Sequence, residues 1–217
     1  MFIKELFTAG GFVMYPLIGF SILALALATE RIYFWYQIKR RQYRVVRDVL
    51  GLYRQEPSLA VEKLRRNLDL PTARIFLEAL SLEEATPEEF RLALDGATQA
   101  ELPGLKRFHP IFETIVGLAP LLGLLGTILG LIRSFSSLNL GEIGGTKTLG
   151  VTAGISEALV ATATGLVVAV IALIFANTFR AFYARQVGLI EEYTTQLELL
   201  YRRLHRSQEV AYAKTTV

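Results

Sequence analysis

The sequence predicts an all-α membrane protein: three transmembrane helices extended by a cytoplasmic helical domain. Three observations predict it. The 217 residues are 52% hydrophobic with a mean hydropathy of +0.39, too apolar for an ordinary soluble domain of this length. Three separate runs are long enough for the roughly 20 helical residues that cross about 30 Å of hydrocarbon. The segment after the first run and the tail after the third carry apolar residues at helical spacing, and no alternating strand pattern occurs.

The first run, GGFVMYPLIGFSILALALAT, gives transmembrane helix 1 over 11–30, after an outside N-terminus at 1–10. It exits through Glu30-Arg31 into Tyr33, Phe34, Trp35 and Tyr36, amphipathic rings that favour the membrane interface. The run is long for a secretory h-region and its basic flank follows it, so it is read as a retained helix. Transmembrane helix 2 covers 111–135 and is rich in glycine; helix 3 covers 150–178.

Basic residues set the orientation. Of 23 Lys and Arg, 14 lie between Arg31 and Arg107 and six between Arg180 and Lys214. The positive-inside pattern therefore places the N-terminus outside, 31–110 in the cytoplasm, the loop 136–149 outside and 179–217 in the cytoplasm. The same clustering beside apolar runs argues against nucleic acid as the partner of a net +3 chain, and makes the lipid bilayer its surroundings. Within 31–110, Leu50, Leu52, Tyr53, Leu59, Val61, Leu64 and Leu68 recur among charges, and Pro57, Pro71, Pro87 and Pro103 punctuate the segment into helices. Thr86-Pro87-Glu88-Glu89 has the make-up of a helix start. After helix 3, Phe182, Leu189, Tyr193, Leu197, Leu200 and Leu204 continue an amphipathic helix into the tail.

Polar residues inside the spans are the candidates for function. Glu157 lies in GISEALVATATG, where a carboxylate costs roughly 2.5–3.5 kcal/mol at mid-bilayer and less near an interface. At about 100° per residue, Gly154, Ala158, Ala161, Gly165, Ala172 and Ala176 form a small-residue stripe that permits close helix approach. Glu157 and Thr164 flank it on one side and Thr162 on the other. Glu157 and Thr162, about 140° apart, share no narrow line unless the helix sits between two neighbours. In span two, Pro120, Gly123, Thr127, Gly130 and Ser134 share one face. Thr127 and Thr162 fall at similar depths if the spans run antiparallel. A polar face converging from two spans fits a hydrated path or a partner-helix groove.

Catalysis has little to work with. With no cysteine and only His109 and His205, no metal site, thiol chemistry or cofactor motif is expected. GGTKTLG (144–150) lacks the Gly before Lys147 that a phosphate loop requires. Three spans without an internal repeat do not make a complete secondary carrier. The chain is read as no enzyme.

GLAPLLGLLGTILGLIRSF and GISEALVATATGLVVAV resemble the two signature helices of the MotA/TolQ/ExbB proton-channel family, and GGFVMYPLIGFSILALALATERIYFW resembles the first span of its ExbB and TolQ branch. The three-span order is similar to that branch rather than to four-span MotA, and the ERIYFW exit and short tail tilt it towards ExbB. The resemblance implies an inner-membrane subunit, a homopentamer around a single-span ExbD/TolR-like partner with a transmembrane Asp, working with a TonB-like protein. Its output would be outer-membrane transport driven by the proton motive force. A TolQ-like role in envelope maintenance and a non-conducting scaffold are the alternatives. By motif, Thr127 and Thr162 match pore-lining threonines, Glu157 the span-three glutamate and Pro120 the span-two proline. Thr164 joins the expected proton pathway, and Gly123, Gly130, Gly154 and Gly165 the span packing. Ile171 stands where many relatives carry a proline, which implies a straighter helix there.

Overall fold

The computed structural model describes residues 10–82, 85–136 and 146–215, and every regular element among them is an α-helix. These are α1 (Met14–Gln55), α2 (Pro57–Arg65), α3 (Pro71–Leu80), α4 (Pro87–Leu105), α5 (His109–Ser136) and α6 (Thr146–Thr215). Most of the expected outside N-terminus and of the expected loop 136–149, including the first two residues of GGTKTLG, lie outside the described residues. Three helical stretches, within Met14–Gln55, Pro87–Ser136 and Gly150–Ser207, are long and apolar enough to cross a membrane.

The spans do not end where their apolar character ends. At 1.5 Å per residue α1 is about 63 Å long and α6 about 105 Å, far beyond a hydrocarbon core of about 30 Å. Glu30-Arg31 contains no helix breaker, so α1 continues until Pro57 forces Glu56 into extended backbone at φ −147°, ψ 93°. The same logic starts α3, with Leu70 at φ −93°, ψ 128°, and α4, with Thr86 at φ −65°, ψ 156°. In each case proline occupies the first turn, where its missing N–H costs nothing. Pro103 departs from this pattern: it lies inside α4 rather than starting a helix. The break comes five residues later at Phe108, a non-glycine residue in the left-handed region at φ 67°. The Arg31 guanidinium lies over its ring, 5.0 Å from the centroid.

Two compact units emerge. One comprises the residues up to Arg31 and Phe108–Phe179; the other Ile32–Arg107 and Arg180 onward. Where the first unit's helices meet, many buried residues are small and many exposed ones large, although Met14, Leu17, Phe112 and Ile115 are buried too. Ala24, Ala28, Ala119, Ala158, Ala161 and Ala172 are buried, whereas Leu121, Leu124, Ile128, Leu159, Val167 and Ile174 are exposed. That inversion suits a medium as apolar as leucine, where helices associate through close backbone packing. α6 runs unbroken through Ile171, whose side chain is 41% exposed.

The second unit has an ordinary apolar core. Phe76, Phe90, Leu64, Leu94, Ile190 and Leu197 are almost fully buried. Arg74 grips Glu101 with two guanidinium nitrogens, and Tyr201 stacks on Phe90 at 3.9 Å while donating to the Ala85 carbonyl. The start of α4 is a complete capping box: Glu89 N–H donates to the Thr86 hydroxyl, and Thr86 N–H donates to the Glu89 carboxylate at 2.8 Å. Hydrogen bonds from the Thr86 backbone and hydroxyl hold the Glu89 carboxyl below its ordinary value of 4.5. A carboxylate with a depressed folded pKa stabilises above its unfolded value and loses that contribution as pH falls through the folded one. Thr86→Ala is expected to cost about 1 kcal/mol and to speed amide exchange in the first turn of α4, read by hydrogen-exchange mass spectrometry. Acidification through the Glu89 transition should lower the protection factors of the same amides in the unmodified chain, once the slower intrinsic exchange at low pH is divided out.

Candidate functional site

The site lies in the first unit, where α5 and α6 run antiparallel along a glycine seam. A Cβ on Gly130 would stand 2.6 Å from the Gly154 carbonyl oxygen, and one on Gly154 would stand 2.7 Å from that of Gly130. A Cβ on Gly165 would meet the Ala119 carbonyl at 2.6 Å, and one on Gly123 would meet the Thr162 Cα at 3.1 Å. All four glycines of the expected packing set therefore sit at the contact itself. Gly126 joins them, its missing Cβ replaced by the Ala161 methyl.

The hydroxyls divide between this seam and their own helices. Thr162 Oγ1 donates across the seam to the Gly123 carbonyl at 3.0 Å, and Ser134 Oγ donates to Val151 at 3.2 Å. Thr127 Oγ1 donates back to Leu124 at 2.6 Å, and Thr164 Oγ1 to Val160 at 2.8 Å. Each oxygen retains lone pairs that can accept from water. With Gly123 opposite Thr162 and Gly126 opposite Ala161, Thr127 lies within about one helical turn of Thr162 in depth. Pro120 is half-buried within a continuous α5.

Glu157 has a partner that sequence reasoning missed. Arg133, near the end of α5, places Nη1 on Glu157 Oε1. The carboxylate also packs on the chain entering α1: Gly11, with φ 66°, leaves room for Glu157 Oε1 at a spot only 1.7 Å from where a Cβ would sit. Only glycine fits there, for conformation and for space. Glu157 therefore faces Arg133 of α5 and Gly11, and Thr162 faces Gly123 of α5, so both polar edges of α6 meet α5 and one also meets the chain entering α1. The two polar edges read from the sequence serve different contacts. The signal for Arg133 was the seam: once Gly130 is set against Gly154 and Ala158, Arg133 falls within a turn of Glu157.

A cation and a carboxylate paired in an otherwise apolar helix pair, with hydroxyls along the same two helices, can order water and carry charge but offer no nucleophile–base arrangement. Comparison with known proteins gives this chemistry a family. The model of the MotA/TolQ/ExbB proton channel family matches residues 67–192, a stretch that holds every one of these groups except Gly11. The chain belongs to that family. The resemblance carried by PLLGLLGT and SEALVATA is thus borne out. The ExbB-like 3 biopolymer transport protein of Synechocystis sp. is 63% identical over 206 residues, which is 94% of this chain and 98% of that protein. ExbB-like 1 of the same organism is 39% identical over 199 residues, 91% of this chain and 78% of that protein. The Tol-Pal system protein TolQ of Pseudomonas aeruginosa is 30% identical over 168 residues, 75% of this chain and 72% of that protein. Membership in a channel family, with three helices fit to cross a bilayer, makes this a multi-pass membrane protein; the family is not one of enzymes.

Proposed function

We propose that the chain is the proton-channel subunit of an inner-membrane complex that uses the proton motive force to energise outer-membrane transport through a TonB-type protein. The observation that carries this reading is the set of polar side chains, Thr127, Glu157, Thr162 and Thr164, on the apolar stretches of α5 and α6, which lie within the residues that the family model matches. The names of the two Synechocystis relatives, both biopolymer transport proteins, support the output. The match to TolQ favours envelope maintenance as the second reading.

In this reading five copies surround a single-span partner whose membrane helix carries an aspartate. Residues 31–110 and 179–217 are cytoplasmic, and the N-terminus and the 136–149 loop are periplasmic, as the distribution of Lys and Arg supports. The large exposed apolar side chains of α1, α5 and α6 then meet lipid, neighbouring copies and the partner. One charge crossing 100 mV releases about 2.3 kcal/mol, so flux needs a polar route between apolar walls. Thr127 and Thr162 line that route; Glu157, paired with Arg133, holds its wall together and leaves proton transfer to the partner's aspartate.

Reconstitution with the single-span partner tests this. Thr127→Val and Thr162→Val are expected to lower proton flux about tenfold or more each, because one hydroxyl in a water chain is replaced by a methyl of the same size. Thr162→Ser keeps the donor to Gly123 and should restore flux. Unchanged flux in both valine variants would overturn the assignment.

A further inference from the structure

Within the second unit, α1 and α6 line a half-open cavity of about 530 Å³. Its lining is polarised along the helices. Ile32, Trp35 and Phe182 form the end that directly follows the apolar spans in the chain, while Gln42 and Gln186 lie further along. Two contacts fix the register there: the rings of Trp35 and Phe182 lie 5.9 Å apart, and Gln186 Nε2 donates to Gln42 Oε1 at 2.6 Å in a buried amide pair. Lys39 of α1 and Arg185 of α6, both cavity-lining and exposed, fall close to one level between those contacts. Two cations thus face one space, and none of the lining side chains is acidic. The Trp35 indole N–H, buried and without a hydrogen-bond partner, borders the same space.

We infer that this cavity is a binding site for one anionic phospholipid, its phosphate held by Lys39 and Arg185 and an acyl chain laid against Ile32, Trp35 and Phe182. Charge complementarity selects the headgroup, since an ammonium and a guanidinium at one level have no carboxylate to answer them. Position selects a lipid over a free anion. The aromatic run Tyr33–Tyr36 belongs at headgroup level, and Lys39 comes one turn past Trp35, on the cytoplasmic side. The inference rests on the membrane topology under the proposed function and needs no proton conduction.

Trp35 is the only tryptophan in the chain, so its fluorescence reports on this cavity alone. The full-length protein is reconstituted into vesicles carrying brominated phosphatidylglycerol or brominated phosphatidylcholine at equal mole fraction in both leaflets. Quenching is expected to favour phosphatidylglycerol roughly thirtyfold in apparent affinity, and about fivefold of that should go with each of Lys39→Ala and Arg185→Ala. Inorganic phosphate should not displace the brominated lipid. Displacement by phosphate would make the site one for a free anion, and equal quenching by the two lipids would leave bulk lipid or a neighbouring copy as the occupant; either result overturns the inference. A protein that conducts no protons yet keeps the headgroup preference would defeat the channel reading and leave the lipid site standing.

Discussion

Gly130→Ala and Gly154→Ala are expected to destabilise the folded first unit by about 2 kcal/mol or more each, although alanine is the better helix former. The added methyl on either residue would lie 2.6–2.7 Å from the other's carbonyl oxygen, with the Ser134 backbone N–H and Cβ at 2.8 Å from the one on Gly154. No flexible side chain can yield there, so the helices must separate. Separation also lengthens the Thr162–Gly123 and Ser134–Val151 hydrogen bonds, which are made across the same seam. Gly117→Ala is the internal control. It lies on the same α5, and its Cβ would meet nothing within 4 Å, so the change should be neutral or slightly stabilising. Denaturant unfolding in mixed micelles reads all three, and a Gly130 variant as stable as the Gly117 variant would refute close seam packing. Gly130→Ala should also lower flux in the reconstituted complex, whereas Gly117→Ala should leave it alone.

Features set by local chemistry were legible in the sequence. The apolar runs, the small-residue stripe of α6 and the proline-started helices α2 to α4 follow from period, size and the missing proline N–H. Pro103 misled because proline punctuates a helix only where the residue before it can leave the helical region, and α4 carries through it to Leu105. The run-through of α1 and α6 past the apolar spans was hard to read because an absent breaker is a weak signal. At the site, the threonines, Glu157 and four of the seam glycines were singled out from sequence, whereas Gly126 and the partners Arg133 and Gly11 were not. Whether Thr162 meets Gly123 or water depends on the rotation and register of two helices, and neither is written in one helix alone. Arg133 was not singled out within span two, and Gly11 was only the first residue of span one. Their convergence on Glu157 depends on three segments folded together.

That convergence gives the second large effect, an asymmetry between the members of the ion pair. Arg133→Gln should destabilise more than Glu157→Gln. The Glu157 side chain is 16% exposed and that of Arg133 57%. Removing Arg133 strands a carboxylate against Gly11 in an apolar surround, whereas removing Glu157 frees a long cationic chain that can reach towards water. Losing one partner of a fully buried pair costs about 3–5 kcal/mol; with Arg133 half outside, about 1–3 kcal/mol is the expected coupling. The double variant Arg133→Gln with Glu157→Gln should therefore be more stable than Arg133→Gln alone, as an unfolding double-mutant cycle would show. Exchanging the charges, Arg133→Glu with Glu157→Arg, tests the third participant. Attraction survives the exchange, but the larger guanidinium must then occupy the space that Gly11 leaves for a carboxylate oxygen. Recovery should be partial at best. Full recovery would mean that Gly11 does not hold Glu157 in place, and an Arg133→Gln protein no weaker than Glu157→Gln would mean that the carboxylate needs no partner.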